Sequence, residues 1–394
     1  MGPDKLANAI DKKVNLYYFK FVSLYFKTGI SSLPNQNNPQ KPVNRLLFLD
    51  GLRGLAVLLV VIYHAYSDWP ELHPYKDAYS ETFLHLEYAV QLFFMISGFV
   101  IAMTLEKCKG FGEFIVRRWL RLFPAMLITI ILIFLTAPLL SARPSGLPLL
   151  QNALPGLLFI EPKILNFIFS SNFGSLEIPF WTLYVEAKFY LIAGLLYFTF
   201  GLKRMIFALV ILFFCSVAFV QTSQYLPVDV ARYATVFFEL SDFRHFGWFA
   251  TGALFYCFYT YKVKLYMLAA IGVGLFSARS LDGVISPVML FGILIVSLFA
   301  FAIVNSTLQK ILSNQFMVWM GFISYPLYLI HDGAMVSMIH QLHAVASKMP
   351  GYLLPVLPII WLIFVAWIIA KYVEPNLRHI IKQFFTNKSA YTSS

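Results

Sequence analysis

The sequence predicts an all-α polytopic membrane protein with about ten transmembrane helices and both termini cytoplasmic. Composition is the first reason. Of 394 residues 59% are hydrophobic and only 12% charged, against about 25% charged in a soluble domain. Spacing is the second: apolar stretches of about 18 residues or more recur along the whole chain, each a candidate crossing. The third is the distribution of positive charge, which sets the orientation.

The spans fall near 47–66, 86–106, 122–140, 181–200, 205–221, 245–260, 265–279, 284–304, 316–339 and 352–371. With the N-terminus inside, the inner segments hold 21 of the 30 Lys and Arg residues and the outer segments hold seven. The remaining two, Arg53 and Lys188, sit within spans. That bias places both ends of the chain in the cytoplasm.

Residues 1–45 read as a separate cytoplasmic or interfacial element. Their "NLYYFKFVSLYFKTGI" is aromatic and basic, too short and too charged to span, and suits a helix on the inner surface with lysines near anionic lipid. Residues 46–374 form the membrane domain, and 375–394 form a short basic cytoplasmic tail. Among the outer loops, 67–87 is acidic and rich in hydrogen-bonding groups. The longest, 141–180, includes an apolar "LPGLLFI" that can dip into the membrane. Loops of this length are often functional, and their polar surface suits a sugar.

Several other classes are excluded. The net charge of +11 is explained by topology, because the basic residues are not gathered into a soluble nucleic-acid-binding domain. Cys108, Cys215 and Cys257 are odd in number and lack metal spacing, so neither a disulfide framework nor a metal site is expected. The first long apolar run starts after about 45 residues, so no cleavable signal peptide is expected. "MGPDKL" lacks the Ser or Thr of a myristoylation site.

Charges inside the bundle are costly, by a few kcal/mol or more each, and therefore informative. In "LDGLRGLAVLLVVIYH", Arg53 and His64 are 11 residues apart. They share a helix face ~16 Å apart along the axis, with the fixed cation toward the cytoplasm and the titratable imidazole toward the outside. Alone, an Arg near a helix end snorkels to phosphate and a His packs; together they suggest a path lined for function. "FIVRRWLRLFP" places Arg117, Arg118 and Arg121 before the third span. Arg118 and Arg121 share a face and form a fork suited to phosphate, or else a positive-inside anchor. Glu186 in "FWTLYVEAKFY" is buried about two turns into the fourth span, at a depth where it could partner a histidine, and Lys188 points to another face. "SYPLYLIH" aligns Tyr325, Tyr328 and His331 along one side of the ninth span.

These segments, with "LFFMISGFVI" and "YVEPNLR", resemble in order the membrane acyltransferase-3 family of surface-sugar O-acyltransferases, from the first span to the C-terminus. The resemblance implies transfer of an acyl group, by default acetyl from acetyl-CoA, to a hydroxyl of an extracytoplasmic glycan such as O-antigen, capsule or another surface polysaccharide. It implies a multi-pass protein of the bacterial cytoplasmic (inner) membrane. By the same resemblance, Arg53, Arg118 and Arg121 hold the donor, His64 is the base or transfer residue, and Glu186 is the buried acid near it. Asp50, Ser97, Tyr325, Tyr328 and His331 match as supporting positions. Acetyl-CoA is the only cofactor implied, as a substrate, and no metal or nucleic acid.

The sequence departs from the family's Trp-Ser-Leu…Glu-Glu-Gln-Phe-Tyr pattern at Thr182, Ala187 and Lys188, which bears on the acceptor pocket. Some members carry a fused periplasmic hydrolase-like domain; this form is expected to stand alone. Intramembrane His, Glu and Arg also occur in proton relays, so a proton-coupled transporter or flippase is the alternative class. Against it, no repeated half with broken helices is found.

Overall fold

A computed structural model describes residues 46–390 apart from 76, 77, 141 and 282–285, with the side chains of 382 and 384–390 left aside. The segment expected to lie on the inner surface, residues 1–45, is outside the described residues.

The described chain is a helical bundle. Its helices are α1 (Leu47–Tyr66), α2 (Ala89–Leu105), α3 (Phe111–Thr136), α4 (Ala153–Leu158), α5 (Pro162–Phe169), α6 (Trp181–Phe200), α7 (Leu202–Thr222) and α8 (Val228–Ser241). They continue as α9 (Phe246–Tyr261), α10 (Lys264–Arg279), α11 (Pro287–Val304), α12 (Ser306–Leu312), α13 (Gln315–Ile330), α14 (Asp332–Val345), α15 (Val356–Ile368) and α16 (Glu374–Ala390). Closed helices satisfy every backbone group internally, which hydrocarbon demands of a spanning chain.

Among the described residues, seven helical stretches are long and apolar enough to cross a membrane: Leu47–Tyr66, Ser80–Leu105, Phe111–Thr136, Ile178–Phe200, Leu202–Tyr225, Pro287–Val304 and Gly351–Ile381. The expected spans at 245–260 and 265–279 are the 16-residue helices α9 and α10. The expected span at 316–339 divides at His331 into α13 and α14. The third span starts at Phe111 rather than near 122, so Arg117, Arg118 and Arg121 ride on α3 instead of preceding it. The long 141–180 connection is partly helical, through α4, α5 and a 3-10 turn at Ile178–Phe180.

Two seams of glycine hold the centre. A Cβ on Gly51 or Gly54 of α1 would strike the backbone of Leu312 or Met317, and one on Gly321 of α13 would strike the carbonyl of Asp50. Gly98 of α2 and Gly252 of α9 meet Phe249 and Met95 in the same way. Small residues allow such backbone approach, and dispersion between close helices drives association where lipid supplies no hydrophobic force. α1 and α2 are consequently the inner staves, mostly buried. They carry Arg53, His64 and Ser97.

Candidate active site

Two polar clusters lie within the bundle, and Tyr328 belongs to both. The first surrounds a cavity of about 80 Å³, where ~10–15 Å³ accommodates one water. Arg53 of α1, Ser97 of α2, Arg121 of α3, Thr182 and Glu186 of α6, and Tyr325 and Tyr328 of α13 all line it, with Phe93 and Phe94 among its apolar walls. The Ser97 hydroxyl donates to Glu186 Oε1 at 2.7 Å. Tyr190, one turn further along α6, donates to the same oxygen. The Arg118 guanidinium lies 6.0 Å from the centre of the Tyr190 ring and reaches the Thr104 hydroxyl at 3.4 Å. Arg53 stands 3.8 Å from Asp50. Arg121 lies within electrostatic reach of both Arg53 and Arg118, and each of those two lies within reach of Glu186. Three guanidiniums against the carboxylates of Glu186 and Asp50 leave an excess of positive charge in a confined space. That arrangement suits a phosphate-bearing or carbonyl ligand.

The second cluster lies at the other end of α1. His64 Nδ1 is 2.8 Å from Asp68 Oδ2 and 3.3 Å from Asp332 Oδ1. Asp68 arrives because α1 ends at Tyr66 and the chain turns over the ring, its Ser67 and Asp68 amides bonding back to Tyr63. Trp69, in a left-handed backbone conformation with φ 55°, donates its indole N–H to Asp332 Oδ1 at 3.3 Å. His73 Nε2 donates to the His64 carbonyl at 3.2 Å; burial holds this loop imidazole below its ordinary pKa and so favours its neutral form. The His331 ring packs edge-on to His64 with centroids 4.7 Å apart. His331 Nδ1 donates to Tyr328 O at 2.7 Å, which leaves its Nε2 buried without a hydrogen-bond partner.

Tyr328 connects the two clusters. Its hydroxyl lies 2.9 Å from the Thr182 hydroxyl and donates to Pro179 O at 3.2 Å, while its ring is 5.5 Å from that of His331. Tyr328 lines the cavity beside Phe93 while its ring also packs toward His331.

The structure brings most of the sequence-chosen residues together, with one rearrangement. Glu186, expected beside His64, is hydrogen-bonded to Ser97 and Tyr190 near the arginines; the carboxylates against the His64 ring are Asp68 and Asp332. Lys188 does face away from Glu186, between Glu161 and Asp242 at 2.6 Å each. Sequence reasoning missed Asp68, Asp332, Trp69 and Tyr190. His64, Asp68 and Asp332 also offer ligand atoms within 4.8 Å of one another. Their direct hydrogen-bonding distances to one ring nitrogen describe an imidazole held between carboxylates.

Fold and site together define a multi-pass helical membrane protein with an arginine-lined cavity joined to a carboxylate-bound histidine. The chain belongs to the acyltransferase-3 family: the family model, described as an acyltransferase domain, matches residues 46–372. It is 29% identical over 156 residues to the peptidoglycan O-acetyltransferase OatA of Listeria monocytogenes, covering 36% of this chain and 23% of that protein. It is 32% identical over 159 residues to protein 2 in the picA locus of Rhizobium radiobacter, covering 39% of this chain and 75% of that protein. The chain therefore spans under a quarter of the Listeria relative in this match. No solved structure matches it.

Proposed function

We propose that the protein is an O-acyltransferase that carries an acyl group, by preference acetyl, from cytoplasmic acyl-CoA to a hydroxyl of an extracytoplasmic glycan or lipid-linked glycan. In this reading it resides in the bacterial cytoplasmic membrane with both described ends facing the cytoplasm, as its Lys and Arg distribution supports. The observation that carries the reading is the pairing, on one helix, of a cation at a phosphate-suited cavity with a histidine whose Nδ1 is held by carboxylates.

The mechanism follows from these distances. His64 Nδ1 faces the Asp68 and Asp332 carboxylates at 2.8 and 3.3 Å, which favours the proton on that nitrogen and the lone pair on Nε2. Nε2 takes the proton of the acceptor hydroxyl as its oxygen attacks the thioester carbonyl carbon. The imidazolium so formed is stabilised by Asp68 and Asp332, the orienting role a carboxylate plays behind a catalytic histidine. The carbon–sulfur bond then breaks, the ester forms, and the proton passes from Nε2 to the leaving thiolate. Arg53, Arg118 and Arg121 hold the phosphates. Glu186, fixed by Ser97 and Tyr190, balances those cations and shapes the cavity. From the arginines the donor's pantetheine arm runs inward along α1. Its reach, about 15–20 Å, matches the ~16 Å rise from Arg53 to His64.

The test is acetyl-CoA binding to purified protein in nanodiscs beside an Arg118→Ala/Arg121→Ala variant. Micromolar binding by the parent and at least a tenfold loss in the variant is the expected result. Equal binding by both proteins, or none by a folded parent, rejects the proposed donor site.

A further inference from the structure

The break between α13 and α14 is capped from outside the helix. In a continuous helix the amide of Gly333 would bond to the carbonyl four residues back. Here it donates at 3.3 Å to Glu177 Oε2, a carboxylate from the connection that precedes α6. Glu177 thus acts as an external cap on the first turn of α14, where amides lack partners and a negative charge is favoured by the helix dipole. Its other oxygen is ion-paired to Arg143, from the same long connection, and the two side chains are only 2% and 4% exposed. Gly333 has to be glycine for this contact: an added Cβ would lie 2.7 Å from Glu177 Oε2 and 3.1 Å from Arg143.

Asp332 is the residue immediately before this amide, at the first position of α14. Burial pushes the Arg143 guanidinium below its ordinary pKa, and the Asp332 carboxylate, near enough to act through space, opposes that shift. The connection also grips the other side of the site, since Tyr328 donates to Pro179 O, two residues after Glu177.

We infer that the buried Arg143–Glu177 pair is a positioning clamp: it holds the α13–α14 break open at Gly333 and so presents Asp332 to His64 Nδ1. A buried ion pair seldom adds net stability over apolar packing, whereas fixing the placement of a general base's partner is worth its cost. The inference rests on the proposed function, because it assigns Asp332 a part in the transfer step.

The test uses membrane vesicles of the source cell, with its own acceptor present, in which the native protein is replaced by each variant. Transfer from [14C]acetyl-CoA into mild-base-labile ester is measured against donor concentration. For Arg143→Met, the maximal rate is expected to fall tenfold or more while the KM for acetyl-CoA stays within twofold of the parent. Arg143→Lys, which restores a cation, is expected to recover most of the rate. Gly333→Ala, which pushes on the carboxylate without removing a charge, should show the same split in smaller measure, and it carries the test if Arg143→Met does not accumulate in membranes. Parental rates in Gly333→Ala and in any accumulated Arg143→Met, or a loss that raises KM in parallel, overturn the clamp. His64→Ala serves as the control. If it still transfers, the proposed function falls and the clamp with it; if it is inactive while the clamp variants match the parent, only the clamp falls.

Discussion

His64 has 8% of its surface exposed and Asp332 2%, so neither is free to seek water when the partner is lost. Replacing Asp332 by Asn keeps the shape but lets the amide offer a donor where the ring needs an acceptor, which unsettles the tautomer that exposes the Nε2 lone pair. Asp332→Asn is therefore expected to lower transfer by roughly 10²–10⁴-fold with acetyl-CoA binding retained. Measuring [14C]acetyl transfer and donor binding on the same preparation checks both halves. Asp68 was within reach of sequence reasoning, since it stands four residues after His64 and such pairs meet on a helix. Asp332 was not. It follows His331 directly, and neighbours on an unbroken helix point about 100° apart, so it is the break at His331 that lets the carboxylate reach α1. Glu186 was assigned to His64 by depth in the membrane. Depth says nothing about which neighbour a helix face meets, and here that face meets α2.

Helix existence was legible from apolar runs, because hydrocarbon leaves few alternatives; helix ends were not. The arginines of α3 made 107–121 look like a connecting segment, yet Arg121 lines a cavity and the helix runs on through it. The glycine seams were present in "LDGLRGL" and "ISGF", but two glycines three apart could equally mark flexibility until their partners are known. With partners known, they predict a cost. Gly321→Ala puts a methyl group against the Asp50 carbonyl of α1 and should destabilise the bundle by about 1–3 kcal/mol, as overpacking does. Thermal unfolding in detergent, followed by the helical signal, reads this directly. An unshifted midpoint would show that the helices can separate freely.

For the molecule as a whole, the uneven sharing of Lys and Arg is the only guide to orientation, since composition and helix lengths are the same from either side. The proposed topology predicts that a reporter active only in the cytoplasm works when fused after residue 394, and that one active only outside the membrane works when inserted near Lys348, in the connection after α14. The reverse pattern would place the arginine cavity on the wrong side for a cytosolic donor. The site's composition was legible from motifs in order, because each puts an expensive charge in an apolar run. Its connectivity was not, because Arg143 and Glu177 lie in a loop whose sequence has no periodicity to read.

The backbone contacts of Gly51, Gly54 and Gly321 have one more consequence. They pin α1 against its neighbours near Arg53, while the Tyr75 hydroxyl, bonded to the Ala65 carbonyl, fastens its far end. A rod held at both ends is a calliper locked at one opening. On the proposed function, the span between donor anchor and base is then a constant of the scaffold, and the slack needed for turnover has to come from the flexible arm of the substrate.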